Sequence, residues 1–204
     1  MNIDQGLFKL DFADHHAVLG MPIDSDLKEA RKRYLKIARR LHPDSLAAAS
    51  DSEKQQASEL LSKLVNPAYE TLSQEKPASE YALVLRLKGQ QLSQQLASVQ
   101  LTVESAQALM TSNNIDHAYL SAFRALAEKQ YENLDEVLAI TGQMSELNLA
   151  YLIRKAGASA PPRSTARSTP GASPAGTPAS PAAAPAAAPA PARRYRETIL
   201  EGYV

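Results

Sequence analysis

Residues 24–44 read D-S-D-L-K-E-A-R-K-R-Y-L-K-I-A-R-R-L-H-P-D. Leu27, Ala30, Tyr34, Ile37 and Leu41 are spaced 3, 4, 3 and 4 apart. That spacing predicts one apolar stripe on a helix of about five turns. Asp24 or Ser25 is expected to cap its start, with further acids in the first turn. His42-Pro43 ends it, because the residue before a proline is pushed out of the helical region. The opposite face is basic. Lys28, Lys32, Lys36 and Arg40 recur every four residues, joined by Arg33 and Arg39. Residues 24–41 hold seven basic and three acidic side chains in a chain whose 22 basic and 22 acidic residues otherwise balance. A basic helix face is often only solvated surface. At this density it is expected to be a landing surface for an acidic protein partner, acting on encounter rate and orientation. Nucleic acid is not expected, since the chain is neutral overall and no aromatic interrupts the basic face.

A second amphipathic stretch follows, with Ala57, Leu60, Leu61, Leu64, Ala68 and Leu72 at helical spacing. Residues 51–75 carry five acids and two lysines. A basic and an acidic helix joined by a loop predict an antiparallel hairpin with facing apolar stripes. Pro67 costs about 3 kcal/mol in a helix interior, so a kink or restart is expected there.

Further along, Leu92, Leu96, Val99, Val103, Ala106 and Met110 step 4, 3, 4, 3, 4, which predicts a continuous seam. Residues 111–114, T-S-N-N, predict a turn and cap. Ile115, Tyr119, Ala122, Phe123 and Leu126 make the next stripe, and Val137, Ile140, Met144, Leu147 and Tyr151 a third. No period-2 run competes. The chain is therefore expected to be all-α, with a three-helix bundle or long hairpin over residues 79–155. An unfilled seam would offer a homodimer or client groove.

Nine of the 13 prolines fall between Pro161 and Pro191. Residues 156–192 hold no acid and no apolar side chain larger than alanine or the proline ring. Such a segment cannot bury enough surface to offset ordering, which predicts a disordered linker. After it, Tyr195, Ile199 and Tyr203, with Leu200 beside them, recur on one face of a short helix. They are expected to form a docking peptide, acting in cis or in trans.

The chain has no Cys. This excludes disulfides, thiolate metal sites and a cysteine nucleophile. No metal is expected from histidine either: His15 and His16 are adjacent, and adjacent helical residues point about 100° apart. No nucleophile accompanies His42 and Asp44, so neither an enzymatic activity nor a cofactor is expected. No stretch is long and apolar enough for a membrane span, and no basic-then-apolar leader is visible. A cytoplasmic protein without membrane contact is the expectation.

Three motifs now combine. D-H-H-A-V-L-G-M at residues 14–21, R-K-R-Y-L-K-I-A-R-R-L-H-P-D at 31–44 and V-N-P-A-Y-E-T-L-S at 65–73 occur in this order. Together they resemble the J-domain of DnaJ-type cochaperones, with His15 and His16 in the usual Tyr-Tyr positions. The resemblance covers roughly residues 11–88. It implies a partner, a DnaK-type chaperone, whose ATP hydrolysis the J-domain stimulates. It implies that His42, Pro43 and Asp44 form the essential loop, and that Lys32, Arg33, Lys36, Arg39 and Arg40 face the chaperone. It also implies packing roles for Leu19, Leu27, Tyr34, Ile37, Ala38, Leu41, Leu61, Leu64, Ala68, Tyr69 and Leu72. The chain departs from the family pattern at Ser45 and Leu35, where basic residues are common, at Pro67, where an acid is usual, and in a cation-poor fourth helix.

The expected organisation is an extension at 1–10, a J-domain at 11–78, a helical bundle at 79–155, a linker at 156–192 and a docking peptide at 193–204. With no zinc module, the chain resembles the specialised J-only cochaperones, which direct the chaperone to a client. The spacing from the H-P-D loop to Asn66 and the stretch S-E-Y-A-L-V-L at residues 79–85 also resemble the HscB-type cochaperones of iron–sulfur cluster assembly. An adaptor that kept the J fold without chaperone activation is the third reading.

Overall fold

A computed structural model describes residues 2–96 and 99–159. The expected linker beyond residue 159 and the docking residues Tyr195, Ile199, Leu200 and Tyr203 lie outside the described residues. Every described residue belongs to one compact unit, Met1–Pro162. Among them there is no strand. The elements are α1 (His15–Leu19), α2 (Leu27–Leu41), α3 (Asp51–Leu60), α4 (Asn66–Leu72), α5 (Glu75–Gln94), α6 (Glu104–Thr111), α7 (Ile115–Lys129) and α8 (Val137–Ser159). Short 3-10 turns occupy Phe8–Leu10, Pro43–Leu46 and Leu134–Glu136.

The hairpin forms as its stripes require. Ala30, Ile37 and Leu41 of α2 share a core with Ala57 and Leu60 of α3 and with Ala68 and Leu72 of α4. Tyr34 stacks on Tyr69 with centroids 4.0 Å apart, and its hydroxyl donates to the Asn66 side-chain oxygen at 3.3 Å. Leu61 and Leu64 pack at the edge of this core, and Leu19 is fully buried in it. Leu27 is a correction: it is 39% exposed and stands outside the core. It occupies the first position of α2, directly after the cap. That cap is Asp26, not Asp24 or Ser25, and its carboxylate accepts from the Glu29 N–H at 2.8 Å.

Pro67 brings the expected restart: a new α-helix, α4, begins at Asn66 with Pro67 in its first turn. Residues Leu61–Val65 widen into a π turn, and the Asn66 N–H reaches back to the Leu61 carbonyl. A proline has no N–H to give, and its ring crowds the carbonyl four residues earlier. One wide turn upstream accommodates both.

The second half also differs from its expected outline. Position 78 is no boundary, because α5 runs through it. The seam expected from Leu92 to Met110 breaks after Gln94 and resumes at Glu104, leaving Leu96 51% exposed. Glu146 of α8, which is 1% exposed, meets the start of α6. Its carboxylate accepts from the backbone N–H groups of Thr102 and Val103 and from the Thr102 hydroxyl. A buried carboxylate satisfies the free donors where α6 begins, as a cap would. The bundle thus has four helices, α5–α8. Asn114 caps α7 by accepting from the His117 N–H at 3.2 Å.

α8 is the central post. Val137, Ile140, Met144, Leu147 and Tyr151 are all buried, as their spacing predicts. Leu149, Leu152 and Ile153 bury a second face against Leu85 and Leu92 of α5. Its helix continues to Ser159, so residues 156–159 belong to it and not to the linker. The N-terminal residues are no free extension. Leu7 is fully buried, and its N–H donates to Ser145 Oγ of α8 at 2.9 Å. Gly6 has φ of 63° with Ser145 against its Cα, where a side chain would have no room. No helix of the described residues is long and apolar enough to cross a membrane.

Candidate functional site

The H-P-D loop sits at the C-terminal end of α2. His42 has φ −66° and ψ 140°, extended as a residue before proline must be, so α2 stops at Leu41. Pro43 then opens a 3-10 turn through Leu46. The Asp44 N–H donates to His42 Nδ1 at 3.2 Å, which ties the ring to its own loop. Nδ1 also approaches the Asp44 carboxylate at 3.6 Å. The His42 and Asp44 side chains are 58% and 93% exposed, and no cation neutralises Asp44 among the described residues. Ser45, the departure from the usual basic residue, donates its hydroxyl to the Arg39 carbonyl at 2.6 Å. It satisfies one of the free carbonyls that every helix end leaves.

The expected basic residues separate into two groups. Lys32, Lys36 and Arg39 are exposed along α2 leading to the loop. Lys32 has only a 3.6 Å approach to Glu29. Such an exposed pair is worth little, and it leaves the cation open to a partner. Arg33 and Arg40 lie one heptad apart and turn toward the bundle. Arg33 Nε donates to the Leu19 carbonyl at 2.9 Å and its Nη2 to the Ala127 carbonyl at 3.2 Å. Arg40 donates to the Tyr131 and Glu132 carbonyls at 3.2 and 2.9 Å. Burial lowers the Arg33 pKa from its ordinary value, opposed by the nearby Glu29 and Tyr131. The two guanidiniums thus close the ends of α1 and α7, where carbonyls lack helical partners.

A polar network behind α1 had no local signal in the sequence. Asp14 is fully buried and accepts from the Ala17 N–H at 2.9 Å and from the Asn148 amide at 2.9 Å. The Asn148 oxygen accepts from the Tyr119 hydroxyl at 2.7 Å, and that hydroxyl accepts from the Ile23 N–H. Burial raises the Asp14 pKa, partly opposed by these hydrogen bonds. Gln130 donates to the Ala17 carbonyl and to Thr141, while its own oxygen finds no partner. The loop-bearing half is therefore bonded to α7 and α8 by side chains whose contacts lie some hundred residues away. Among the described residues, no cluster of three or more metal-ligating side chains occurs.

Comparison with known proteins agrees with this geometry. The model of the DnaJ domain matches residues 14–82. The J protein JJJ2 of Vanderwaltozyma polyspora is 35% identical over 81 residues, 40% of this chain and 14% of that protein. The adaptation to cold protein J of Shewanella oneidensis is 41% identical over 63 residues, 31% of this chain and 66% of that protein. This chain thus spans a small part of the first and just under two thirds of the second. The co-chaperone protein HscB of Proteus mirabilis is 32% identical over 132 residues, 58% of this chain and 72% of that protein. That alignment is longer than the DnaJ domain, so the likeness enters the bundle. No solved structure matches. An exposed H-P-D loop on a basic helix, a matching DnaJ domain and an HscB likeness that runs past it lead to one statement: the chain belongs to the J-protein family.

Proposed function

We propose that the chain is a cochaperone of a DnaK-type ATPase and raises its rate of ATP hydrolysis. The observation that carries this is the loop His42-Pro43-Asp44, held out at the end of α2 with an unneutralised carboxylate and the exposed cations Lys32, Lys36 and Arg39 beside it. The chain needs no chemistry of its own for this. A surface that binds one conformational state of the ATPase more tightly shifts its population toward that state. Asp44 supplies a charge that is fully available to a cation on the partner, and the cations of α2 speed and orient the encounter. The bundle then directs the chaperone to a client. Leu83, Val84 and Leu87 of α5, 56%, 46% and 55% exposed, are neighbouring apolar side chains it leaves open for that task.

The experiment is single-turnover ATP hydrolysis by a DnaK-type chaperone with wild type or His42→Gln. Stimulation by the wild type, and its loss in the variant, is the expected result. His42 is exposed and bonds only within its loop, so the substitution should shift unfolding by less than about 0.5 kcal/mol. A wild type that leaves hydrolysis unchanged would overturn the reading in favour of an adaptor.

A second reading names the client pathway as iron–sulfur cluster assembly, the role of HscB-type cochaperones. It is supported by the length of the HscB alignment, which reaches beyond the J-domain. Purified cluster-scaffold protein should then bind the full chain. If it does not, the specialised J-only reading stands.

A further inference from the structure

α2 and α7 face one another across an open cleft of about 1920 Å³. Small-molecule pockets are roughly 300–1,000 Å³, so a cleft of this size suits a segment of a macromolecule. Leu35, Lys36 and Arg39 line it from α2, and Leu120, Arg124 and Glu128 from α7. Arg33 ties the two walls together by bonding the carbonyls of Leu19 and Ala127.

The charges of the lining are unequal in an informative way. Nine basic and six acidic residues contribute. Two of the acids face a cation, Glu29 by Lys32 at 3.6 Å and Asp116 by Lys155 at 2.9 Å, and the one Tyr151 hydroxyl proton lies between Asp24 and Asp116. Asp26 caps α2. Lys36, Arg39 and Arg124 make no side-chain hydrogen bond or ion pair among the described residues. The charge left for a visitor is therefore positive, and it sits on both walls. Leu35 is 43% exposed between these cations, with Leu120 part-buried on the other wall.

We propose that the chaperone seats an acidic segment with an apolar residue in this cleft, so that α7, through Arg124, is a second wall of the docking surface. This rests on the cochaperone reading above and extends it from the J-domain to the bundle. Arg124 adds a cation to the set on α2, and Leu35 receives an apolar side chain where a further lysine would receive only charge. A convex helix face would become a two-sided slot that discriminates by shape as well as by charge.

The test is the affinity of the full chain for a DnaK-type chaperone, measured by surface plasmon resonance at several salt concentrations. Arg124→Glu should weaken binding about tenfold, mainly through the association rate, and flatten the salt dependence. Arg124→Ala should weaken it about threefold, and Arg124→Lys should stay within about twofold of wild type. Arg124 is exposed on α7, and urea unfolding of each variant reports whether the helix persists. If Arg124→Glu and Arg124→Ala both bind like wild type while Lys36→Glu binds weakly, chaperone docking is confined to α2 and the proposal is wrong. A wild type with no affinity would remove the cochaperone reading and this one together.

Discussion

His16 makes the fold sensitive to acid. It is 4% exposed, its Nδ1 has no hydrogen-bond partner, and its ring stacks on Tyr81 at 5.6 Å between centroids. Burial, with charge repulsion from His15 second, pulls its pKa from 6.5 down to about 3. The unfolded chain therefore takes up this proton long before the folded chain does. The stability contributed by the neutral ring is complete above pH 6.5 and is lost as pH falls toward the folded value. Between pH 8 and pH 5 the unequal proton uptake amounts to about 2 kcal/mol, and the result is the same for any folded pKa below about 4. Two neighbours act as well. His15 is lowered by burial and adds loss of the same sign. Asp14 is raised by burial, so the folded chain gains its proton first on acidification, with the opposite sign. Comparison with His16→Phe removes both, since the variant keeps them. The added ring volume shifts its absolute stability, which leaves the pH dependence as the quantity to read. Urea unfolding at pH 8 and pH 5 should show wild type losing about 2 kcal/mol more than His16→Phe. A difference below about 0.5 kcal/mol would mean that the ring is charged in the folded state or reaches solvent, and the reasoning would fail.

Two more outcomes follow from contacts between the halves. Gly20 ends α1 at φ 63°, and a Cβ there would run into the Arg33 guanidinium and the Gln130 side-chain oxygen; Gly20→Ala should cost about 3 kcal/mol by urea unfolding, combining left-handed strain with a displaced arginine. Arg33→Ala with Arg40→Ala frees four backbone carbonyls; each change should cost about 1–3 kcal/mol, with faster hydrogen exchange at residues 127–132.

Local signals were read where local physics decides the outcome. Pro43 stops α2 because a proline acts on its own neighbour, and Asn114 caps α7 because a cap is three residues long. The five-residue stripe of α8 was legible because its periodicity does not depend on what covers it. The same logic explains the errors. Periodicity carried a seam through residues 95–103, because nothing nearby announces that Glu146 will hold the start of α6. Leu27 fits the α2 stripe but lies at its first turn, past the end of the surface it would pack on. The site was legible as residue types, not as geometry. Arg33 and Lys32 are neighbours of like charge, and only their positions around α2 set one against the α7 carbonyls and the other toward solvent. Leu35 read as a missing cation, and it becomes an apolar spot once α7 stands opposite.

The bond from the Leu7 N–H to Ser145 Oγ spans 138 positions. Chains are synthesised from the N-terminus at about 5–20 residues per second, so Leu7 waits on the order of 10 s for Ser145 to be made. Asp14 waits about as long for Asn148. During that interval the nascent chain has its H-P-D loop but not the surface that buries α1. Under the function proposed above, the chain would then be, while still on the ribosome, a candidate for the same kind of assistance it is proposed to arrange for others.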